Sequence, residues 1–292
     1  MKTIAKRDLI ESHLQGLIPD LNCPFKHLFE SCRYALLGGG KRLRPLLTLM
    51  TAETLGIDSK DVLNAACAIE MIHAYSLIHD DLPCMDDDDF RRGRPSVHKA
   101  FGEGLAVLTG DYLLTRAFSI LADDIHIGIK ERLSLISLLA KRAAAPGMIA
   151  GQVMDLNGID QKTDKLQQLE ILKEIHRMKT GALIEASILF GCIIAKATTD
   201  VTKHLSKFAL ELGLAFQIKD DIIDVTDSLA KRGTLAPSDI YNNKTTYVTI
   251  LRIEGAKEQA ATHQQNALHA LTLIPYDTSE LREFVNRLIG NV

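Results

Sequence analysis

Apolar residues return every three to four positions along almost the whole chain: Ile69, Ile72, Tyr75 and Ile78; Leu135, Ile136, Leu138 and Leu139; Phe208, Leu212, Ala215 and Phe216. That spacing puts each set on one face of a helix, and the strict alternation of a half-buried strand is scarce. The best strand candidate, Tyr247-Val248-Thr249-Ile250-Leu251, runs directly into a charged helical pattern and is expected to be helix too. Breaks fall at Pro19 to Pro24, Gly38-Gly39-Gly40, Gly56, Pro83, Arg92 to Pro95, Gly102 to Gly104, Pro146-Gly147, Gly158, Arg232 to Pro237 and Pro275. Between them the pattern predicts about ten or more helices. No Pro-, Gly- or Ser-rich linker divides the chain, so residues 1–292 are expected to form a single all-α domain.

With 46% hydrophobic residues, such a domain can bury a sizeable core. The net charge of -3 argues against a broad basic surface, and 5% aromatics without Trp leave little for base stacking, so no nucleic-acid partner is expected. Five Cys without a CxxC pair suggest neither a disulfide framework nor a thiolate zinc site. Lys2, Lys6, Arg7, Asp8 and Glu11 interrupt the stretch where a secretory signal needs an apolar run. No segment reads as an unbroken apolar span, so a cytoplasmic protein without stable membrane insertion is expected.

Two aspartate clusters each interrupt the end of a strongly apolar helix. In Phe216-Gln217-Ile218-Lys219-Asp220-Asp221-Ile222-Ile223-Asp224, Asp220 and Asp224 are four apart and share a helix face. Two stacked carboxylates repel unless a cation lies between them, and a hard, oxygen-seeking ion such as Mg²⁺ fits that need. A solvated acidic turn would read the same way. The first cluster, His79-Asp80-Asp81-Leu82-Pro83-Cys84-Met85-Asp86-Asp87-Asp88-Asp89, crowds like charge more severely. On an unbroken helix Asp80 and Asp86 would point about 240° apart, so one shared site requires the backbone to leave the helix. Pro83 supplies the break. The run Phe90-Arg91-Arg92-Gly93-Arg94-Pro95 follows at once, and acid beside base in this density suits metal and polyanion together or a salt-bridged surface loop. Gly38-Gly39-Gly40-Lys41-Arg42-Leu43-Arg44-Pro45 allows a left-handed helix stop followed by a new helix. Lys41 and Arg44 then stand at a helix entrance that favours an anion, although Arg42 occupies the place where a nucleotide P-loop needs a hydroxyl.

Taken together, GGGKRLRP at 38–45, HDDLPCMDDDDFRRGRPSVH at 79–98, GMIAGQVMDL at 147–156, HRMKTGALI at 176–184, FQIKDDIID at 216–224 and NNKTTY at 242–247 resemble the trans-isoprenyl diphosphate synthase family, in particular its bacterial farnesyl diphosphate branch. The resemblance implies an all-α bundle around a deep central cavity (the isoprenoid synthase fold) and a homodimer. It also implies Mg²⁺-dependent head-to-tail condensation of isopentenyl diphosphate with dimethylallyl and then geranyl diphosphate to give farnesyl diphosphate. By position it makes Asp80, Asp81 and Asp86, facing Asp220, Asp221 and Asp224, the holders of about three Mg²⁺ ions, with Mn²⁺ as a substitute. Arg91, Lys179 and Lys244 match contacts to the allylic diphosphate, and Lys231 aligns nearby in a segment, 229–239, whose glycines depart from the family pattern. A second departure is Val248, where many relatives have Pro. Lys41, Arg44, His73 and Arg92 match the isopentenyl diphosphate pocket, while Thr180 and Gln217 match the path of the reacting carbons. Tyr75, with Ser76 beside it, matches the cavity floor that sets chain length; without the resemblance Tyr75 would read equally as core, and His73 as a core histidine. His98 and His176 are expected to be structural, and Met148, Gly151 and Gln152 to serve helix packing. A terpene cyclase, a catalytically silent partner subunit, and a C10 or C20 synthase remain alternatives at this level.

Overall fold

The computed structural model describes residues 2–232 and 245–290, with side chains over 3–226 and 245–290. Helices α1 (Lys2–Leu17), α2 (Lys26–Leu36), α3 (Leu43–Thr54) and α4 (Leu63–Asp80) are followed by a short hairpin, β1 (Phe90–Arg91) and β2 (Arg94–Pro95). Then come α5 (Val97–Phe101), α6 (Glu103–Asp123), α7 (Ile129–Ala143), α8 (Met148–Asn157), α9 (Lys165–His176), α10 (Ala182–Ile194), α11 (Thr199–Arg232), α12 (Tyr247–Thr272) and α13 (Ser279–Ile289). The all-α architecture read from the sequence is borne out. Backbone contacts group the chain into two compact units: Met1–Leu139 with Phe190–Lys196, and Ala140–Leu189 with Ala197–Val292.

In the first unit α4 packs against α3 and α6. It is apolar nearly all round, with Ala65, Ala66, Ile69, Met71 and Ile72 fully buried, the pattern of a helix in the middle of a core. The helix ends at Asp80, three residues before Pro83, as the missing N–H of Pro83 requires. The chain then folds back on itself, and the Asp86 N–H donates to the Asp80 carbonyl at 2.8 Å. The hairpin that follows was not foreseen. Arg92 (φ 55°) and Gly93 (φ 75°) are both left-handed, the two-residue turn whose twist matches antiparallel strands, and Phe90 pairs with Pro95 and Arg91 with Arg94.

In the second unit α11 pairs with α12 over a core that includes Leu169, Leu172, Ile218, Ile222, Tyr247 and Ile250. Tyr247 opens a helix because Thr246 caps it. The Thr246 Oγ1 accepts from the Thr249 N–H at 3.2 Å, and the Thr249 hydroxyl accepts from the Thr246 N–H at 2.8 Å. The second aspartate cluster does not end its helix, contrary to expectation: α11 continues to Arg232 because nothing like Pro83 follows Asp224.

Two helical stretches, Glu103–Asp123 and Ile129–Asn157, reach the length and mean hydropathy (1.3 each) of a membrane span. The sequence reading expected no segment of that apolar length, and by length and composition these two stretches correct it. Only 39% and 28% of these windows are buried, so both helices keep apolar surface, including Val107 (40% exposed) and Leu108 (58%) on α6.

Candidate active site

The first unit holds a cleft of about 520 Å³, including its open mouth, lined among others by Arg42, Glu70, His73, Asp81, Arg91 and Arg92. Its cations outnumber its carboxylates. Asp81, 2% exposed, takes Arg91 in a two-pronged ion pair, and Arg91 reaches Asp88 at 3.1 Å. Burial raises the Asp81 carboxyl above its ordinary pKa, with Arg91 opposing. Glu70, 3% exposed, is occupied by Arg42 at 2.9 Å, and Arg42 also grips Glu11 at 2.7 and 2.9 Å. This buried triad holds Arg42 in a left-handed turn (φ 49°) at the start of α3, which sets Lys41 and Arg44 on either side of it.

Arg92 lines the cleft and Arg44 lies in the first turn of α3; among the described residues neither makes an ion pair with a carboxylate. Arg92 donates to the Gly39 carbonyl and lies flat over Gly40, where a Cβ would come within 2.7 Å of its Cζ. The Arg44 Nε is buried and has no hydrogen-bond partner among the described residues. Burial pushes the Arg44 guanidinium down to about 10, Glu70 opposing and Arg92 adding to the shift. His73 is held well below the ordinary imidazole range by burial and by Arg44, Arg92, Arg42 and Arg91 around it. A cleft whose cations outnumber its carboxylates favours a polyanion.

Asp80, at the end of α4, and Asp86 are brought together through the backbone bond already described. The carboxylate and carbonyl oxygens of this segment fit Mg²⁺. Immediately beyond it, Asp87, Asp89 and His98 bring ligand atoms within 4.8 Å of one another, although Asp89 is already paired with Lys99 at 2.7 Å. His98, expected to be structural, therefore stands beside two carboxylates. Tyr75, one turn before His79, is 5% exposed and Ser76 is half-buried, its hydroxyl donating to the His73 carbonyl at 2.9 Å.

The second unit places its residues around one wide turn. Arg177–Gly181 forms a π-helical turn between α9 and α10, a distortion that often marks functional sites, and it carries Lys179 and Thr180. Gly151 of α8 lies flush on the Lys179 backbone, with no room for a Cβ, so the packing role expected of Gly151 is borne out. Lys179 Nζ meets Asp155 at 2.7 Å. The Thr180 hydroxyl donates to Gln217 Oε1 at 2.9 Å, and Gln217 Nε2 donates to Asp221 at 3.4 Å. Asp221, 8% exposed, also accepts the Tyr247 N–H at 3.0 Å, so its carboxylate is turned toward α12. Asp220 is half-buried and Asp224 exposed on the same helix. Lys244 and the side chain of Lys231 lie outside the described residues. The sequence reading missed Asp155 and Glu70. Asp155 stands in the quoted GMIAGQVMDL motif, and an acid near the end of an amphipathic helix was its only signal.

Against known proteins, a family model described as polyprenyl synthetase matches residues 25–279, across both units. The chain is 47% identical to a farnesyl diphosphate synthase of Geobacillus stearothermophilus, over 94% of this chain and 92% of that one. It is 44% identical to a chloroplastic heterodimeric geranylgeranyl pyrophosphate synthase large subunit of Arabidopsis thaliana, over 88% of this chain and 69% of that one. Among solved structures it is similar to an FPP/GFPP synthase of Zymomonas mobilis, with a TM-score of 0.87, 35% identity, and 99% and 98% of the two chains covered.

Proposed function

The chain belongs to the polyprenyl synthetase family, a group of prenyltransferases that elongate prenyl chains, and from that premise we propose that it makes farnesyl diphosphate from isopentenyl, dimethylallyl and geranyl diphosphates. We propose further that residues 1–292 act as one catalytic domain to which both aspartate clusters contribute. The observation that carries the reading is the carboxylate-poor cationic cleft beside Asp80 and Asp86.

Two anions must be held at once. Lys41, Arg44, His73 and Arg92 bind the diphosphate of isopentenyl diphosphate without a metal, the Lys and Arg groups supplying charge and His73 a hydrogen bond. A terpene cyclase takes one diphosphate and has no use for this second pocket, so the pocket favours elongation. Arg91, Lys179, Lys231 and Lys244 bind the allylic diphosphate. Asp80, Asp81, Asp86, Asp220, Asp221 and Asp224 would hold about three Mg²⁺ ions, or Mn²⁺, and the ions would neutralise charge growing on the leaving group. Asp81 and Asp221 each keep an oxygen engaged by Arg91 or by Tyr247 N–H, so they also fix the walls in place.

In the reaction the allylic C1–O bond breaks and its electron pair leaves with the diphosphate. The terminal alkene of isopentenyl diphosphate then attacks C1. The cation formed loses a proton to the departed diphosphate, and no side chain becomes covalently attached. Arg91, Lys179 and Lys244 stabilise the leaving group, while Thr180 and Gln217, fixed to each other, line the path of the carbocation and exclude water. Tyr75, with Ser76 beside it, closes the shaft below, and this is what selects C15 over the C20 product in the name of the geranylgeranyl relative.

The apolar strip on α6 around Val107 and Leu108 is the proposed homodimer contact, and the protein is expected to be cytoplasmic and without stable membrane insertion. The test is an assay with labelled isopentenyl diphosphate, Mg²⁺ and dimethylallyl or geranyl diphosphate, with products separated by chain length. C15 as main product, formed only when isopentenyl diphosphate is present and lost on chelation, is expected. A product without added carbons would put the chain among cyclases.

A further inference from the structure

The floor residue Tyr75 is not anchored by its own polar end. Its hydroxyl is buried without a hydrogen-bond partner among the described residues, and burial, with Asp80 near, raises its pKa to about 12. Its aromatic contact is with His79, one turn further along α4: the rings meet edge to face with centroids 5.8 Å apart. His79 in turn is fixed from the neighbouring helix. Its Nε2–H donates to the Val107 carbonyl of α6 at 3.1 Å, which also settles the tautomer, since a carbonyl can only accept. The imidazole then lies directly against Gly110, also on α6. A Cβ there would fall on the Nε2 and come within 2.6 Å of Cδ2 and 2.8 Å of Cε1. Gly110 is buried and helical, so its missing side chain serves space and not backbone freedom.

We propose that Gly110 and His79 are specificity-determining residues that set product length at second hand: α6 positions the His79 ring, and the ring fixes how far Tyr75 reaches into the shaft. The inference rests on the reading of Tyr75 as the floor. A methyl at Gly110 takes the place of the imidazole, which is pinned by Val107 and cannot retreat along α6. The ring is driven toward Tyr75, and the floor rises. Removing the imidazole does the reverse, because the unanchored Tyr75 then relaxes into the space and the floor drops.

The test compares Gly110→Ala, His79→Ala, Tyr75→Ala and the unaltered enzyme for the ratio of C10, C15 and C20 products at equal conversion. A destabilised fold lowers total turnover without moving this ratio. Gly110→Ala is expected to lower the C15-to-C10 ratio by about threefold or more, and His79→Ala to raise the C20 share by a similar factor. If Gly110→Ala fails to fold, His79→Ala, which introduces no collision, decides alone. An unaltered ratio in these variants, or a lengthened product from Gly110→Ala, while Tyr75→Ala gives C20, overturns the proposal and leaves the floor standing. A silent Tyr75→Ala removes the floor and the proposal with it.

Discussion

Gly40→Ala isolates the cationic cleft from the metal site. Gly40 has φ 134°, where a side chain is strained, and the added methyl would lie 2.7 Å from both Cζ and Nη1 of Arg92 and 2.9 Å from Nη2. Non-bonded carbon contacts settle near 3.5–4.0 Å, so the guanidinium must withdraw by roughly 1 Å. Its bond to the Gly39 carbonyl holds it in place now, and the left-handed turn at Arg92 leaves the side chain little choice of approach. A charge-assisted hydrogen bond is worth about 1.5–3 kcal/mol, and losing one to the homoallylic diphosphate corresponds to about a 10–150-fold rise in KM. Backbone strain of about 1–3 kcal/mol adds a fall of several degrees in Tm. Initial rates with isopentenyl diphosphate varied at saturating geranyl diphosphate read the first effect, and thermal unfolding reads the second. The KM for geranyl diphosphate is expected to stay within about twofold, because Arg91 and Lys179 are untouched. A lower Tm with an unchanged KM for isopentenyl diphosphate would refute the assignment of Arg92 to that anion.

Asp155→Asn removes the partner of Lys179 at 2.7 Å, and with the pair only partly exposed it should reduce kcat/KM for geranyl diphosphate by about 5–30-fold while stability changes by about 1 kcal/mol or less; steady-state kinetics with a urea melt check both. Glu211, which pairs with His263 and Lys207, tests the electrostatics of the second unit. Burial opposes its ionisation, yet hydrogen bonds from His263 and Lys207 outweigh burial and hold its carboxyl at about 2, below the ordinary 4.5. Because the folded value is depressed, this stabilisation is complete above the ordinary value and disappears as pH falls from about 4.5 through 2, a difference of about 3 kcal/mol. Glu211→Gln should therefore be less stable than the unaltered protein at neutral pH and lose that disadvantage near pH 2, as followed by urea melts across the range.

Much of this is legible in the local sequence pattern. The helical period located the core faces, and Pro83 forecast a departure from the helix between Asp80 and Asp86, where the backbone bond joining the two is found. The Gly38–Gly40 run correctly marked a left-handed passage into α3. What stayed hidden depends on contacts between distant segments. Asp155 and Lys179 meet only because Gly151 lets α8 lie on the π-helical turn, a distortion with no signature in apolar spacing. Glu70 sits in a run of apolar residues and looks misplaced until Arg42 and Glu11 arrive from two other helices. The hairpin at Arg91 escaped notice because its left-handed Arg92 is a residue that seldom takes that shape.

The proposal that Asp80 and Asp224 serve one diphosphate can be tested as a coupling. Calorimetric binding of a non-ionisable allylic diphosphate analogue, with and without Mg²⁺, would be compared for the unaltered enzyme, Asp80→Ala, Asp224→Ala and the double variant. Two carboxylates that act as a unit predict that each single change removes most of the Mg²⁺-dependent affinity and that the double change costs little more, a coupling above about 1.4 kcal/mol. Losses that simply multiply, or affinity that persists undiminished without Mg²⁺, would contradict it.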